Sequence, residues 1–247
     1  METRVALSED SVSQSEDGAR LTIRIENDFP GNRLSAWQKW LQQPQKLWLH
    51  NAFFQVHYWI GALAGLYVGL MSITGSIIVY RNELSRWQSI EPIVNLHANL
   101  MAGSTGRLVN GFGGISLTLL CLTGAVIWWP GIKNWRRSLT VSRKAHIARL
   151  NWDLHSALGF WCFLFVLIWG VSGIYFSFPG WFDAIGSLGP NGEQGLFWLS
   201  ELHFGRFNRF TEAVWSILGL VPALLAFTGI FVCCRRVIFK QPSNPNR

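Results

Sequence analysis

Charged residues are scarce in this chain: of its 247 residues, only 14% are Asp, Glu, Lys or Arg. A soluble domain normally carries about 25% charged residues, so the composition argues against a soluble globular protein. Tryptophan, in contrast, is abundant, with 14 copies. Because Trp gathers at the boundary between lipid and water, low charge and abundant Trp together predict a membrane protein.

Motifs for several other chemistries are missing from the sequence. The four cysteines include no C-x-x-C pair, which argues against a disulfide framework or a thiolate metal site. The adjacent Cys233 and Cys234 are either a reactive pair or simply small apolar residues near a helix end. No Ser-His-Asp arrangement and no glycine-rich nucleotide motif after a strand is found. We therefore expect the chain to bind neither NAD(P)H nor a flavin.

Four apolar stretches approach or exceed the roughly 20 residues that a helix needs to cross a bilayer. They lie at about 54–80, 108–129, 155–178 and 212–234. The sequence thus predicts an all-α membrane protein whose four transmembrane helices occupy residues 54–234.

The segments before and after the four apolar stretches are not predicted to cross the membrane. Residues 1–33 lack the basic start and short apolar core of a signal peptide, and we expect a disordered cytoplasmic tail in which "LTIRI" could form a short strand. Residues 34–53 are predicted to be an interfacial helical segment, interrupted at Pro44. Residues 235–247 form a basic tail.

Basic residues predict the orientation in the membrane, because positive loops stay on the cytoplasmic side. The net charge of +7 is concentrated in the loop 130–153 and in the tail after the fourth stretch. Both termini and this loop are therefore predicted to be cytoplasmic, and the loops 81–107 and 179–212 to lie outside. The charge is explained by topology, and we expect no binding to nucleic acid.

The two halves of the chain resemble each other. The stretch "HYWIGALAGLYVGLMSITGSIIVY" aligns with "HSALGFWCFLFVLIWGVSGIYFSF" on a histidine, a glycine four residues on, and a glycine eighteen residues on that follows Thr or Ser. A Leu-His pair precedes the second and fourth stretches, and a Thr-Gly pair lies near the end of each. These patterns predict a tandem repeat of two-helix units in the same orientation. The matched residues are His57 and His155, Gly61 and Gly159, Gly75 and Gly173, His97 and His203, and Gly124 and Gly229.

The histidines are candidate metal ligands. His57 and His155 are predicted at the cytoplasmic ends of the first and third spans, and His97 and His203 on the outer side. Neutral imidazole is a good ligand for haem iron, and two helices can hold one iron from both sides. We expect two b-type haems, one for each pair. Other hypotheses remain: a single histidine is often an interfacial anchor, or only one haem could bind. Pairing within one half of the chain is excluded, because His57 and His97 are predicted at opposite faces of the membrane and one iron could not reach both.

The glycines suit a flat macrocycle beside these histidines. Residues i and i+4 share a helix face, so Gly61 and Gly159 would leave room for the inner porphyrin. Eighteen residues return to the same face about 27 Å further along the helix. Gly75 and Gly173 would then flank the outer porphyrin, and Gly124 and Gly229 the inner one. The alternative is that these small residues only let helices pack closely.

Two other histidines and three arginines rank lower. His50 lies seven residues before His57, about 10.5 Å along a helix, and is either a boundary residue or a backup ligand. His146 lies in the basic loop, where we expect it to be solvated. Arg107, Arg206 and Arg209 lie near the outer histidines and would bind either haem propionates or lipid headgroups.

Three segments carry a resemblance to a known family: "VHYWIGALAGLYVGLMSITGSIIVYRNEL", "LHANLMAGSTGRLVNGFGGISLTLLCLTGAVIWWPG" and "WDLHSALGFWCFLFVLIWGVSGIYFSFP". Over about residues 53–234, the chain resembles the PepSY-associated transmembrane family. The resemblance implies a bacterial inner-membrane protein with b-type haem, similar to ferric-siderophore reductases. Members usually carry a periplasmic PepSY domain between the first two spans, whereas only the sixteen residues Arg81 to Leu96 stand there in this chain.

Two functions from different classes are consistent with the sequence. The first is a transmembrane electron conduit that takes electrons from a donor protein or a quinol. Its acceptor would be periplasmic, such as ferric siderophore iron that binds at the outer loop from Pro179 to Leu202. Alternatively, the chain would relay electrons within a membrane complex. The second is a haem-free accessory or structural subunit of a larger membrane complex.

Overall fold

The computed structural model describes residues 35–86, 89–130, 135–142 and 145–238. The predicted disordered tail at 1–33, the segment "LTIRI" and residues 239–247 of the basic tail lie outside the described residues. The described part of the chain contains α-helices, two short 3-10 turns and loops, and no strand, which confirms the all-α prediction.

The helices of the described ranges follow the chain in the order α1 to α12. Two 3-10 turns, at Pro44–Lys46 and Pro179–Phe182, separate some of them. The helices are α1 (Ala36–Gln42), α2 (Trp48–Ile78), α3 (Arg81–Leu84), α4 (Glu91–Asn99), α5 (Gly103–Trp128), α6 (Trp135–Ser138), α7 (Ile147–Trp161), α8 (Phe163–Ser177), α9 (Asp183–Gly186), α10 (Pro190–Phe204), α11 (Arg209–Gly219) and α12 (Val221–Ile238).

Local sequence explains several helix ends. Ser35 caps α1, because its hydroxyl accepts a hydrogen bond from the backbone of Gln38. The helix ends at Gln42, just before Pro44, which cannot donate a backbone hydrogen bond. Asn208 caps α11 in the same way through the backbone of Thr211.

Three stretches of helix within the described residues are long and apolar enough to cross a membrane: α2, α5, and the continuous stretch of α11 and α12 over Arg209–Arg235. The pair α7 and α8 is a fourth candidate if it crosses as one bent unit. Within the described residues the structure thus contains three candidate membrane spans, or four if the bent pair is one span. The orientation and the tandem repeat stay predictions.

The third span differs from its prediction as one straight helix over 155–178. Helix α7 begins at Ile147, and its axis meets that of α8 at 68° around Cys162. The backbone of Cys162 has φ −102° and ψ 6°, well away from helical values. Beside the bend, the thiol of Cys121 donates a hydrogen bond to the backbone carbonyl of Phe163, at 3.3 Å. Kinks occur where a side chain enters the backbone ladder in this way.

Helix α2 is the centre of the packing. It contacts α5 on one side and α12 with α11 on another, and it also contacts α4. Helix α5 packs against α8 and α4, and α7 packs against α12. This arrangement brings α4, α5, α7, α8 and α10 close enough to the long helices to place side chains between them.

The buried side chains are mostly small or polar, whereas many large apolar side chains are exposed. Ser172 is fully buried, and Leu63 and Leu66 of α2 are 84% and 76% exposed. A lipid-facing surface is as apolar as a soluble core, so helices in a membrane associate through small and hydrogen-bonding residues instead. The buried polar residues of the described chain are Ser72, Thr74, Ser76, Asn110, Thr123, Asp153, Ser172 and Thr228.

Candidate functional site

One pair of histidines lies between α2 and α7. The ring centres of His57 and His155 are 6.3 Å apart, and the ring planes are nearly perpendicular at 85°. Two metal–nitrogen bonds of about 2 Å, with ring centres about 1.2 Å behind the nitrogens, would span about 6.4 Å. The spacing of this inner pair therefore fits one metal ion between the two imidazoles.

A second pair lies between α4 and α10. The ring centres of His97 and His203 are 6.5 Å apart, with ring planes at 56°. The two pairs are found near opposite ends of α2, because His57 lies on α2 itself and His97 contacts Thr74 of the same helix. Seventeen residues separate positions 57 and 74, which corresponds to about 26 Å along a straight helix. The structure thus brings together the histidines that the sequence placed at equal depth.

Each of the four imidazoles contacts the same kind of group, the hydroxyl oxygen of a Thr or Ser on a neighbouring helix. In every case the ring atom is Nδ1. Because Nδ1 is engaged, Nε2 is the ring nitrogen available to a metal. The distances are 3.0 Å for His57 with Thr123, 2.8 Å for His155 with Thr228, 3.0 Å for His97 with Thr74, and 2.6 Å for His203 with Ser172.

Three of the candidate glycines touch an imidazole directly. A Cβ atom added to Gly75 would lie 3.0 Å from Cε1 of His97. The same atom on Gly124 would lie 3.2 Å from Cε1 of His57, and on Gly229 it would lie 3.4 Å from Cε1 of His155. The sequence predicted these glycines beside a porphyrin, whereas their nearest neighbours in the structure are the imidazole rings. They leave room for the edge of a histidine ring.

The other three glycines have different surroundings. Gly173 lies on the face of α8 that packs against α5, where its Cβ would be 3.9 Å from Cα of Gly114. A Cβ on Gly61 or Gly159 would make only ordinary contacts, with Leu120 at 3.7 Å and Leu225 at 3.9 Å. Protein packing therefore does not require glycine at Gly61 or Gly159. Their role in admitting a macrocycle stays a prediction.

A cavity of about 1040 Å³ adjoins His97 and His203, which we call the outer pair after the orientation predicted from the sequence. Both imidazoles line it, together with Gly75 and Gly173. Ligand pockets commonly measure about 300–1000 Å³, so the cavity has room for a large cofactor. The other lining residues include Tyr67, Asn110, Trp169, Phe176 and Phe178.

Two of the three candidate arginines face this cavity. Arg107 of α5 and Arg206 line it, whereas Arg209 is exposed at the start of α11 and does not. The guanidinium of Arg206 also stands 4.7 Å from the ring centre of Phe204. Arg107 and Arg206 are therefore placed to meet an acidic group of a bound molecule, and Arg209 is not.

The outer histidines are held in the neutral form. Burial lowers the pKa of His97 below its ordinary value. Burial, with smaller contributions from His97 and Arg206, lowers the pKa of His203 to about 3. Neutral imidazole is the form that binds metal ions, so the outer pair needs no deprotonation to act as a ligand at neutral pH.

The donor set fits a metal that brings its own equatorial ligands. Among the residues that the structure describes, no group of three or more His, Cys, Asp or Glu side chains could hold a metal ion. Each histidine pair would supply two imidazoles to one metal, and the other coordination positions would be left to a cofactor. A porphyrin has four nitrogens in one plane and suits this arrangement.

Backbone contacts brace the outer histidines, and sequence reasoning missed them. Asn110 of α5 donates from Nδ2 to the carbonyl of His97 at 2.7 Å and accepts from the hydroxyl of Tyr67 at 3.1 Å. Trp169 of α8 donates to the carbonyl of His203 at 3.3 Å. These bonds fasten α4 and α10 to the long helices.

Helix α10 ends directly after His203. Gly205 ends the helix in the left-handed region, with φ 64°, and the ring of Trp215 occupies the space where a Cβ would lie. Glycine adopts this conformation without steric cost. Trp215 in turn donates to the carbonyl of Leu202 at 2.7 Å, so α11 holds the end of α10 in place.

The two remaining histidines stand apart from the pairs. His50 lies in the first turn of α2, and both of its ring nitrogens are buried without a hydrogen-bond partner among the described residues. His146 is exposed and caps α7, because Nδ1 accepts from the backbone of Ala148 at 3.4 Å.

Comparisons with known proteins agree with the resemblance noted in the sequence. The chain is 33% identical over 88 residues to a protein described as "Uncharacterized protein PA4219" from Pseudomonas aeruginosa. The aligned part is 34% of this chain and 21% of that relative, so the chain spans about a fifth of the relative's length. No solved structure matches. Residues 88–194 match the model of the PepSY-associated TM region, so this part of the chain is similar to that family.

Proposed function

We propose that the chain carries electrons across a bacterial inner membrane through two b-type haems, one held by His57 and His155 and the other by His97 and His203. The spacing of the imidazoles carries the proposal, because ring centres 6.3 Å and 6.5 Å apart suit one metal between the members of each pair. Haem iron supplies one-electron chemistry. The residues of the chain hold, orient and bury it.

The outer cavity gives the second line of support. Its volume of about 1040 Å³, its two imidazoles and its two arginines suit a flat cofactor that carries acidic groups. Arg107 and Arg206 would bind the propionates, which are carboxylates, through charge-assisted hydrogen bonds. Gly61 and Gly159 would leave room for the corresponding macrocycle of the inner pair.

The direction of transfer follows from the predicted topology. With the basic loop and both termini in the cytoplasm, His57 and His155 lie on the side of the electron donor, which is a protein or a quinol. His97 and His203 lie on the side of the acceptor. The family resemblance suggests ferric iron in a siderophore, or a partner in a larger complex. The two-helix tandem repeat would explain why each side has one pair.

Reconstituted vesicles test this function. A membrane-impermeant ferric chelate is enclosed, a membrane-impermeant reductant is added outside, and reduction of the enclosed iron is followed by absorbance. We expect reduction at a rate that rises with the haem content of the vesicles. His57→Ala and His97→Ala should each abolish transfer, because each interrupts the chain of two haems.

The matched control is His146→Asn, which removes an exposed imidazole that belongs to neither pair and keeps a residue suited to capping α7. It should conduct like the unmodified protein. The proposal fails if haem-loaded protein reduces the enclosed iron no faster than empty vesicles do. A haem-free preparation would instead favour an accessory or structural subunit.

A further inference from the structure

We infer that the hydroxyl groups of Thr74, Thr123, Ser172 and Thr228 are positioning groups that fix the tautomer of the four paired histidines. Each hydroxyl would accept a hydrogen bond from Nδ1–H of its imidazole and so leave the lone pair of Nε2 for the metal. The inference rests on the proposed function for the identity of that metal. The hydrogen bonds from which it is argued join only protein atoms and are present without a metal.

The proton of each hydroxyl is already committed to the backbone. Thr123 donates to the carbonyl of Leu119 at 2.6 Å, four residues earlier in α5. A hydroxyl has one proton and two acceptor lone pairs. Toward the imidazole it can therefore only accept, and Nδ1 must carry the proton. The other three bonds have the same form, from Thr228 to Leu224 at 2.7 Å, from Thr74 to Leu70 at 2.8 Å, and from Ser172 to Ile168 at 2.6 Å.

A second backbone carbonyl, three residues earlier in the same helix, also lies within hydrogen-bond distance of each hydroxyl. For Thr123 this second acceptor is the carbonyl of Leu120, at 3.3 Å. The corresponding distances are 3.2 Å from Thr74 to Met71, 3.1 Å from Thr228 to Leu225, and 3.3 Å from Ser172 to Trp169. Both carbonyls of each hydroxyl can only accept, so they direct its one proton to the backbone and away from the imidazole.

The opposite tautomer, with the proton on Nε2, would prevent the imidazoles from binding a metal through that nitrogen. If the hydroxyls donated to Nδ1, each Nε2 would carry a hydrogen. Such a nitrogen has no lone pair for a metal, and the hydroxyl would give up its bond to the helix carbonyl. The observed bonds avoid both consequences, because the hydroxyl keeps its carbonyl and the ring keeps a free Nε2.

The glycine after each hydroxyl completes the contact at three of the four positions. The hydroxyl fixes one edge of the ring through Nδ1, and the missing Cβ of Gly124, Gly229 or Gly75 admits the adjacent Cε1. Two neighbouring ring atoms are thus held by two neighbouring residues on another helix. This sets the rotation of the imidazole as well as its tautomer, which are the two properties that outer partners of a ligating histidine control.

Substitutions at Thr123 separate the hydroxyl from the shape of the side chain. Thr123→Val keeps the branched side chain and removes the hydroxyl, whereas Thr123→Ser keeps the hydroxyl. Ser116→Ala is the matched control, because Ser116 lies on the same helix and bonds the carbonyl four residues earlier, at 2.9 Å, but contacts no histidine in the described structure. Thr228→Val repeats the test on the partner ligand.

Two readouts decide the matter. The first is nitrogen NMR of the full chain, isotope-labelled at histidine and prepared without haem, which reports the tautomer of each ring. The second is the affinity of the inner site for haem. We expect Thr123→Val to lose the Nδ1–H tautomer of His57 and to weaken the inner site about 10–100-fold, the usual effect of losing an outer partner. Thr123→Ser and Ser116→Ala should leave both readouts unchanged.

The inference is overturned if Thr123→Val keeps the tautomer of His57, or if Thr123→Ser impairs it as much as Thr123→Val does. Its failure can be told from failure of the proposed function. A chain that never takes up haem removes the electron conduit, but the haem-free NMR measurement still decides which nitrogen carries the proton. Thermal unfolding of each variant shows that the comparison is made on folded protein.

Discussion

The hydroxyl oxygen of Thr123 lies 3.0 Å from Nδ1 of His57 and joins α5 to α2 at the inner histidine pair. His155 is held in the same way by Thr228, so both histidines of the pair are braced from helices other than their own. If the pair binds a metal as proposed, the site depends on the packing of whole helices. Changes at the ligands, at their partners and at the helix contacts should therefore have distinguishable effects.

Loss of either member of a pair should remove the same haem. His57→Ala and His155→Ala should each leave about half of the haem, and the double variant should lose no more than either single one. His97→Ala and His203→Ala should each remove the other half. Haem content per chain is measured after denaturation. A redox titration of the folded protein then identifies the remaining haem by its reduction potential. Depletion of different haems by His57→Ala and His155→Ala would refute the pairing.

Gly124→Ala should disturb the inner site without removing a ligand. Its Cβ would lie 3.2 Å from Cε1 of His57, so the ring must shift and its bond to Thr123 weakens. Overpacking of this kind costs about 1–3 kcal/mol, which is roughly 5-fold to 150-fold in haem affinity. The measurement is a haem titration of the full chain.

Gly69→Ala on α2 is the control for that substitution, because no atom lies within 4 Å of the added Cβ. It should leave the affinity unchanged. Gly61→Ala has a separate meaning, since its Cβ would meet only Leu120 at an ordinary 3.7 Å. If Gly61 admits the macrocycle, Gly61→Ala should fold normally and still bind less haem. Full haem occupancy in Gly61→Ala would show that Gly61 is not needed to admit the macrocycle.

Gly113→Ala should destabilise the fold, because the added Cβ would overlap the ring of Tyr67. Tyr67 also donates to Asn110, which holds the backbone of His97, so the disturbance reaches the outer site. We expect a loss of about 1–3 kcal/mol in the free energy of unfolding. Thermal unfolding in detergent measures it, with Gly69→Ala as the control. An unchanged melting temperature for Gly113→Ala would mean that Tyr67 does not pack there.

The cavity arginines should affect the outer haem only. Arg206→Gln and Arg107→Gln each remove a cation from the cavity wall, so outer haem affinity should fall several-fold while the inner haem is unchanged. Arg209→Gln is the control, because this residue is close in sequence and does not line the cavity. Equal losses for Arg206→Gln and Arg209→Gln would mean that the effect is one of membrane anchoring.

Much of the fold could be predicted from the sequence, because apolar length is a strong signal. The spans predicted at 54–80, 108–129 and 212–234 correspond to α2, α5 and the stretch of α11 with α12. The bend at Cys162 could not be predicted. No proline marks it, and the contact that accompanies it comes from Cys121 on another helix.

The candidate site was predictable in part. The repeat indicated which histidines share a depth, and the structure places His57 near His155 and His97 near His203. The role of the hydroxyls was missed although their pattern was visible, since each Thr or Ser precedes a candidate glycine. Sequence spacing along one helix cannot show that the partner of Thr123 is a histidine 66 positions away on another helix. Asn110 was missed for the same reason.

The number of haems per chain, with a reduced-minus-oxidised absorption spectrum of the purified protein, tests the central claim most directly. Two imidazole pairs with metal spacing predict two b-type haems per chain, with an α band on reduction. They also predict complete loss of haem when His57 and His97 are both replaced by alanine. A colourless preparation, or haem that persists in the double variant His57→Ala, His97→Ala, would contradict the account.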